Sequence, residues 1–100
     1  MQLYRIPLQP IPNQELIVNI AKIDKSATIR LKQYERILTF DLKLDNVIIC
    51  QSVLCKTGYN LIWPFLYKVK GELAFLFAGN KELVNYKDLD KGAELYYAIR

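Results

Sequence analysis

Residues 36–55 read RILTFDLKL-DN-VIICQSVLC, and this pattern decides the fold. Leu38, Phe40, Leu42 and Leu44 alternate with Ile37, Thr39, Asp41 and Lys43, as in a strand with one buried face. Asp45-Asn46 then interrupts the apolar run. Both residue types tolerate positive φ, which a two-residue hairpin turn demands at its central positions. The turn predicts a β-hairpin in which Leu44 faces Val47, Leu42 faces Ile49 and Leu38 faces Val53. Phe40 falls opposite Gln51, a mismatch in this register. The return strand is apolar on both faces (Val47, Ile49 and Val53; Ile48, Cys50 and Leu54), which predicts a central strand covered from both sides.

Working outward, residues 15–23 (ELIVNIAKI) are apolar at Leu16, Val18 and Ile20, and residues 28–34 (TIRLKQY) place Ile29 and Leu31 inward. A turn at Asp24-Lys25-Ser26 makes these a second hairpin. Downstream, residues 56–60 (KTGYN) form a loop by composition. The aromatic stretch 61–69 (LIWPFLYKV) is split by Pro64 and predicts a bent or edge segment that becomes strand from Phe65. Gly71 marks a turn into a strand over residues 72–78, with Leu73, Phe75 and Phe77 on one face. Residues 81–92 (KELVNYKDLDKG) allow one helical turn or a loop, and their polarity favours the loop. Residues 93–99 close the chain as a strand with Leu95, Tyr97 and Ile99 inward. At the other end, residues 3–8 (LYRIPL) can form a short edge strand, since Pro7 forbids a central one. The sum is an all-β fold: a small antiparallel sandwich or partly open barrel of six to seven strands with an extended N-terminal arm.

The arm is residues 1–14 and the β-domain residues 15–100. Pro7, Pro10 and Pro12 each fix φ and remove a donor, which predicts a stiff, polyproline-II-like segment. Its apolar members Ile6, Leu8 and Ile11 need burial. Two placements are open, across the open end of its own domain or on a neighbouring subunit, and the residues alone favour the first. If the arm is only an appendage, deleting residues 1–12 leaves a folded domain.

At 100 residues, 52% apolar and 24% charged, the chain is long enough for one core and too apolar for disorder. No apolar run approaches the ~18 residues of a membrane span, and the opening MQLYRIPLQP lacks the apolar core of a signal peptide. The expectation is a protein that stays in the compartment where it is made. The net charge of +4 comes from basic residues scattered along the chain with no run among them, as solvated strand faces would have. Cys50 and Cys55, five apart in one expected strand, point to opposite faces and read as two buried thiols.

Catalysis needs a positioned acid, base or nucleophile. The chain has no His, and Asp41, Glu72 and Glu94 fall on solvent faces. Neither Cys has an imidazole beside it in sequence. No catalytic residue, cofactor or metal ligand set is expected. Asp88 and Asp90, a short acidic pair between lysines, are a poor cation site. Phe40, Phe75, Phe77 and Tyr97 are core positions, whereas Tyr4, Tyr59, Trp63, Tyr67 and Tyr96 can be exposed. Trp63 reads either as an interface anchor or as a core tryptophan plugging a barrel end. A different class of reading is a small β-barrel that binds single-stranded nucleic acid through Arg30, Lys32, Lys68 and Lys70.

The opening RIPLQPIPNQ followed by a strand resembles the cyanophage-type baseplate plug domain, in which an I-P-L-x-P-x-P-N-Q arm precedes an all-β body. The likeness continues through ATIRLKQYERILTFDLKLDNVIICQSVLC, KGELAFLFAGN and the closing ELYYAI. LVNYKDLDKG keeps the tyrosine of that family's Asp-Pro-Tyr-rich loop, Tyr86, without its Asp-Pro. The resemblance implies a structural, non-enzymatic virion protein in the baseplate of a contractile-tailed bacteriophage. Such a protein is a plug or hub-associated component near the tail axis, assembled in the host bacterial cytoplasm. Implied partners are other baseplate, hub, spike or tail-tube proteins and symmetry-related copies of the chain; the residues themselves offer no membrane span and no basic run to favour nucleic acid. The arm then lies on a neighbour, and the candidate interface residues are Ile6, Pro7, Leu8, Pro10, Ile11, Pro12, Asn13, Gln14, Trp63 and Tyr86.

Overall fold

A computed structural model describes residues 2–69 and 73–99. Lys70, the turn expected at Gly71 and the start of the strand at Glu72 lie outside the described residues. The strands are β1 (Gln2–Ile6), β2 (Asn13–Ile20), β3 (Lys25–Tyr34), β4 (Ile37–Leu44), β5 (Val47–Leu54), β6 (Leu73–Gly79) and β7 (Ala93–Ile99). They form two antiparallel sheets, β1-β7-β6 and β2-β3-β4-β5. This is the sandwich alternative of the expected all-β architecture.

The alternating patterns do what their periods dictate. Ile29 and Leu31 from β3, Leu38, Phe40 and Leu42 from β4, Phe75 and Phe77 from β6 and Leu95 from β7 are all fully buried in one core. Phe40 meets Phe75 across the two sheets at a centroid distance of 5.6 Å. From there an aromatic row crosses the smaller sheet, Phe75 to Tyr97 at 6.3 Å and Tyr97 stacked on Tyr4 at 4.9 Å. Such contacts stabilise beyond the area they bury, by about 0.5–1.5 kcal/mol each.

The organising hairpin forms, with a register different from the expected one. Leu44 faces Val47, but Leu42 faces Cys50 and Phe40 faces Val53. Two irregularities let β5 gain one residue each time on β4, the defining property of a β-bulge. The reason is legible in the mismatch: regular pairing would set Phe40 against Gln51. The slips instead bury Ile49 and Cys50 in succession and leave Gln51 and Ser52 exposed. Ser52 has φ +55°, and its N–H donates to Asp41 Oδ1 at 2.6 Å. In the turn, Asp45 alone of the two central residues has positive φ, +54°. Its carboxylate accepts from the Ser26 N–H at 3.0 Å.

Three other expectations are corrected. β5 is an edge strand and not a central one; its two apolar faces arise because bulges shift the parity of the pattern. The same shift brings Cys50 and Cys55 into one core as free thiols instead of onto opposite faces. Residues Trp63–Lys68 form a 3₁₀ helix with Pro64 in its first turn, where a missing N–H is tolerated, so no strand starts at Phe65.

The positive φ at Ser52 sets a test. In a regular strand Val is better than Ser, whereas a β-branched residue is strained in the left-handed region and glycine is not. Ser52→Val is therefore expected to lower stability by about 1–2 kcal/mol, and Ser52→Gly to hold it or raise it by up to about 1 kcal/mol. Urea unfolding midpoints read both, and the opposite order would mean a regular, unbulged β5.

Candidate functional site

The candidate site is the N-terminal segment and the groups that hold it. Residues 2–6 pair with β7 from Gln2↔Ile99 to Ile6↔Leu95, so the segment begins as an edge strand. Deleting residues 1–12 would therefore strip β7 of its neighbour. The segment then crosses from one sheet to the other. Ile6 and Leu8 are buried at 1% and 7% exposure, while Ile11 keeps 39%. Pro7, Pro10, Pro12 and Asn13 are exposed, and Gln14 is half-buried.

Three clamps fix this path. Asp90 Oδ2 accepts from Arg5 Nη2 at 2.7 Å and from the Leu8 N–H at 3.1 Å. Glu94 adds a longer contact to Arg5, 3.8 Å. The Gln14 side chain closes a ring with Gln9, accepting from its N–H at 3.2 Å and donating to its carbonyl at 2.7 Å. Between them the Ile11 N–H donates to the Gln9 carbonyl across Pro10 at 2.9 Å. Finally, the Gln33 N–H donates to the Pro12 carbonyl at 2.8 Å, and Gln33 Oε1 accepts from the Tyr86 N–H at 3.1 Å.

Gln33 thus brings Tyr86 to the segment, as does Asp90 from the same loop. Tyr86 begins a 3₁₀ turn, Tyr86–Asp88, and packs half-buried against the core. Trp63 does not share these clamps; it stands 69% exposed on its own 3₁₀ helix, which answers its double reading in favour of a surface residue. Sequence reasoning missed Arg5, Gln33 and Asp90 as the holding groups. Asp90, first weighed as a cation ligand, is a latch, and Asp88 lies 3.4 Å from Lys81. Among the described residues no three Cys, Asp or Glu side chains gather as a metal site would require.

Of the four charges weighed for nucleic acid, Lys70 lies outside the described residues and Lys68 stands apart from Arg30 and Lys32. Arg30 pairs with Glu15 at 3.0 Å. Arg30 and Lys32 lie on β3, whereas Lys68 donates to the Ile49 carbonyl on β5 at 3.3 Å, two strands away. Burial pushes the Cys50 thiol up to about 11 and raises that of Cys55 as well, so both are protonated near neutrality and poor nucleophiles.

The geometry is therefore that of a β-sandwich with a clamped proline segment and a separate exposed tryptophan. A family model described as cyanophage baseplate Pam3 plug gp18 matches residues 3–99, and the chain belongs to that family. A search of curated proteins found no match.

Two outcomes follow from this geometry. Asp90 has φ +56°, so Asp90→Gly removes the latch without straining the backbone. It is expected to destabilise by about 1–2 kcal/mol and to speed amide hydrogen exchange over residues 2–8. Unchanged exchange there would mean that the β1–β7 ladder alone holds the segment. For the thiols, unfolded Cys ionises near about 8.5, while the folded thiols keep their protons to higher pH. The folded state then binds more protons than the unfolded one, and stability falls as pH rises above that value. Urea unfolding between pH 8 and pH 10 should show a steeper loss for the wild type than for the Cys50→Ala, Cys55→Ala double variant. Parallel slopes would refute the assignment.

Proposed function

We propose that this protein is a structural component of the tail baseplate of a contractile-tailed bacteriophage. In this reading it is a plug or hub-associated part close to the tail axis, assembled in the host cytoplasm and present in several symmetry-related copies. Membership of the plug family over residues 3–99 carries the reading. Its partners are the hub, spike, tube-end and other baseplate proteins around it.

The contact surface within residues 1–14 is its exposed part, Pro7, Pro10, Ile11, Pro12 and Asn13, with Trp63 as a separate anchor and residues 15–100 as the body. Ile6, Leu8, Gln14 and Tyr86 serve by fixing the path. The physics suits the role, because a segment already ordered by clamps loses little freedom when gripped. Covering an exposed tryptophan removes on the order of 150–250 Å² from water, which is worth roughly 3 kcal/mol or more.

Trp63→Ala acts on an exposed side chain and should leave unfolding stability within about 0.5 kcal/mol of wild type. Ile11→Asp, at a side chain 39% exposed, gives up part of an apolar contact and should cost on the order of 1 kcal/mol while the chain stays folded. Both are expected to lower the amount of this protein in purified tails when the variant gene replaces the natural one. Wild-type incorporation of both variants would refute the contact surface. Density for this chain far from the axis in a particle map would refute the placement.

A further inference from the structure

A sheet edge presents unpaired N–H and C=O groups to any passing strand, and folded proteins blunt such edges. Three of the four edges here are blunted. Beside β6 runs the segment 58–61: Gly58 and Leu61 donate to the Phe77 and Phe75 carbonyls at 2.9 and 2.8 Å, and Asn60 Oδ1 accepts from the Phe75 N–H at 3.0 Å. β5 is broken by two register slips, and Lys68 occupies the Ile49 carbonyl. β1 is five residues long, carries Arg5 and runs straight into Pro7. β2 is longer and unbroken; its one charge is Glu15, and Pro12 lies just before its first residue.

β2 reads NQELIVNI, eight residues without Lys, Arg or Pro. Its register with β3 is unbroken from Asn13↔Lys32 to Ile20↔Lys25. At its centre Leu16 and Val18 are only half-buried, and Ile17 is 68% exposed. Among the described residues no backbone hydrogen bond reaches its outer edge from another segment. The direction of its bonds follows from the Gln33 N–H donating to the Pro12 carbonyl. In an antiparallel ladder the bonded positions alternate, so Gln14, Leu16, Val18 and Ile20 bond to β3. The N–H and C=O groups of Glu15, Ile17 and Asn19 point outward.

We propose that the outer edge of β2 pairs with the β2 of a second copy of this chain, antiparallel about a two-fold axis, joining two four-stranded sheets into one of eight. The occupant is chosen by self-complementarity, which an isologous interface requires. With Ile17 opposite its own counterpart, Glu15 meets the counterpart of Asn19 and Leu16 that of Val18. The outward-pointing residues then face one another, and each such pair exchanges two hydrogen bonds. The strand's charged residue, Glu15, avoids its like and stays beside Arg30. Apolar residues meet apolar ones at the centre on both faces.

This pairing uses a surface separate from Ile11 and Trp63 and does not depend on the baseplate reading. The test is the mass of the purified full chain by light scattering and sedimentation, up to millimolar concentration. Wild type and an Ile48→Lys control on the β5 edge should both give twice the chain mass. Ile17→Lys, which sets two ammonium groups against each other, should give the single-chain mass with an unchanged circular dichroism spectrum. Ile17→Cys should oxidise to a linked two-chain species on a non-reducing gel, because directly opposed residues lie within disulfide reach. A single-chain mass for the wild type would leave this edge to a strand of another protein and overturn self-pairing. A two-chain mass that survives Ile17→Lys would overturn it as well, by placing the interface elsewhere.

Discussion

The β4–β5 ladder has to deliver an apolar residue opposite Phe40, and the structure depends on how it does so. A regular return strand would bring Gln51 to that place, setting a polar side chain among fully buried rings. Burying an amide without partners costs more than the local disorder of a bulge. Slipping twice sets Val53 opposite Phe40 and carries Cys55 to the end of β4. There the Cys55 N–H donates to the Leu38 carbonyl and its own carbonyl accepts from the Val84 N–H, at 2.9 and 3.1 Å. Lys56 and Thr57 then bridge to Leu83 and Phe77. The chain passes from one sheet to the other at this joint, so the register of one hairpin sets where the second sheet begins.

A similar economy holds the other end. Arg5 and Asp90 are 85 positions apart, yet their ion pair and the Leu8 N–H on the same carboxylate oxygen pin the exit of β1. Asp90 reaches both because its backbone is left-handed, a conformation that Asp tolerates better than most residues. The proline segment that follows has few torsions left to fix. Its exposed groups are held in place by the same clamps that bury Ile6 and Leu8.

Much of this was legible from residue order, and the exceptions share a cause. Ile29 and Leu31, or Phe75 and Phe77, alternate on uninterrupted strands, where a period of two is decisive. β5 misled because its parity changes twice within eight residues, so a bulged edge strand imitates a central one. Residues Trp63–Lys68 misled because Pro64 starts a helix as readily as it bends a strand. In the candidate site, the need to bury Ile6 and Leu8 was readable from composition alone. Asp90 as their latch was not, since nothing near KDLDK announces a partner 85 positions earlier. Side-chain clamps between distant segments have no local period to reveal them.

Four of the fourteen basic side chains stand in ion pairs among the described residues. Arg5, Lys25, Arg30 and Lys81 each stand beside an acid, Asp90, Asp45, Glu15 and Asp88 respectively. The exposed ones add little stability; the Arg5–Asp90 pair differs because Asp90 is mostly covered and also holds the Leu8 N–H. Phe40 over Phe75 sets β6 above β4, and residues 55–61 lead from β5 to the outer edge of β6, so β5 and β6 share one flank and β1 and β2 the other. The far flank is closed by residues 55–69, whereas this one carries the short β1 edge, the open β2 edge and the exposed prolines between them. One side of the sandwich is thus sealed by hydrogen bonds, whereas on the other, among the described residues, the outer main-chain groups of β2 receive none from another segment.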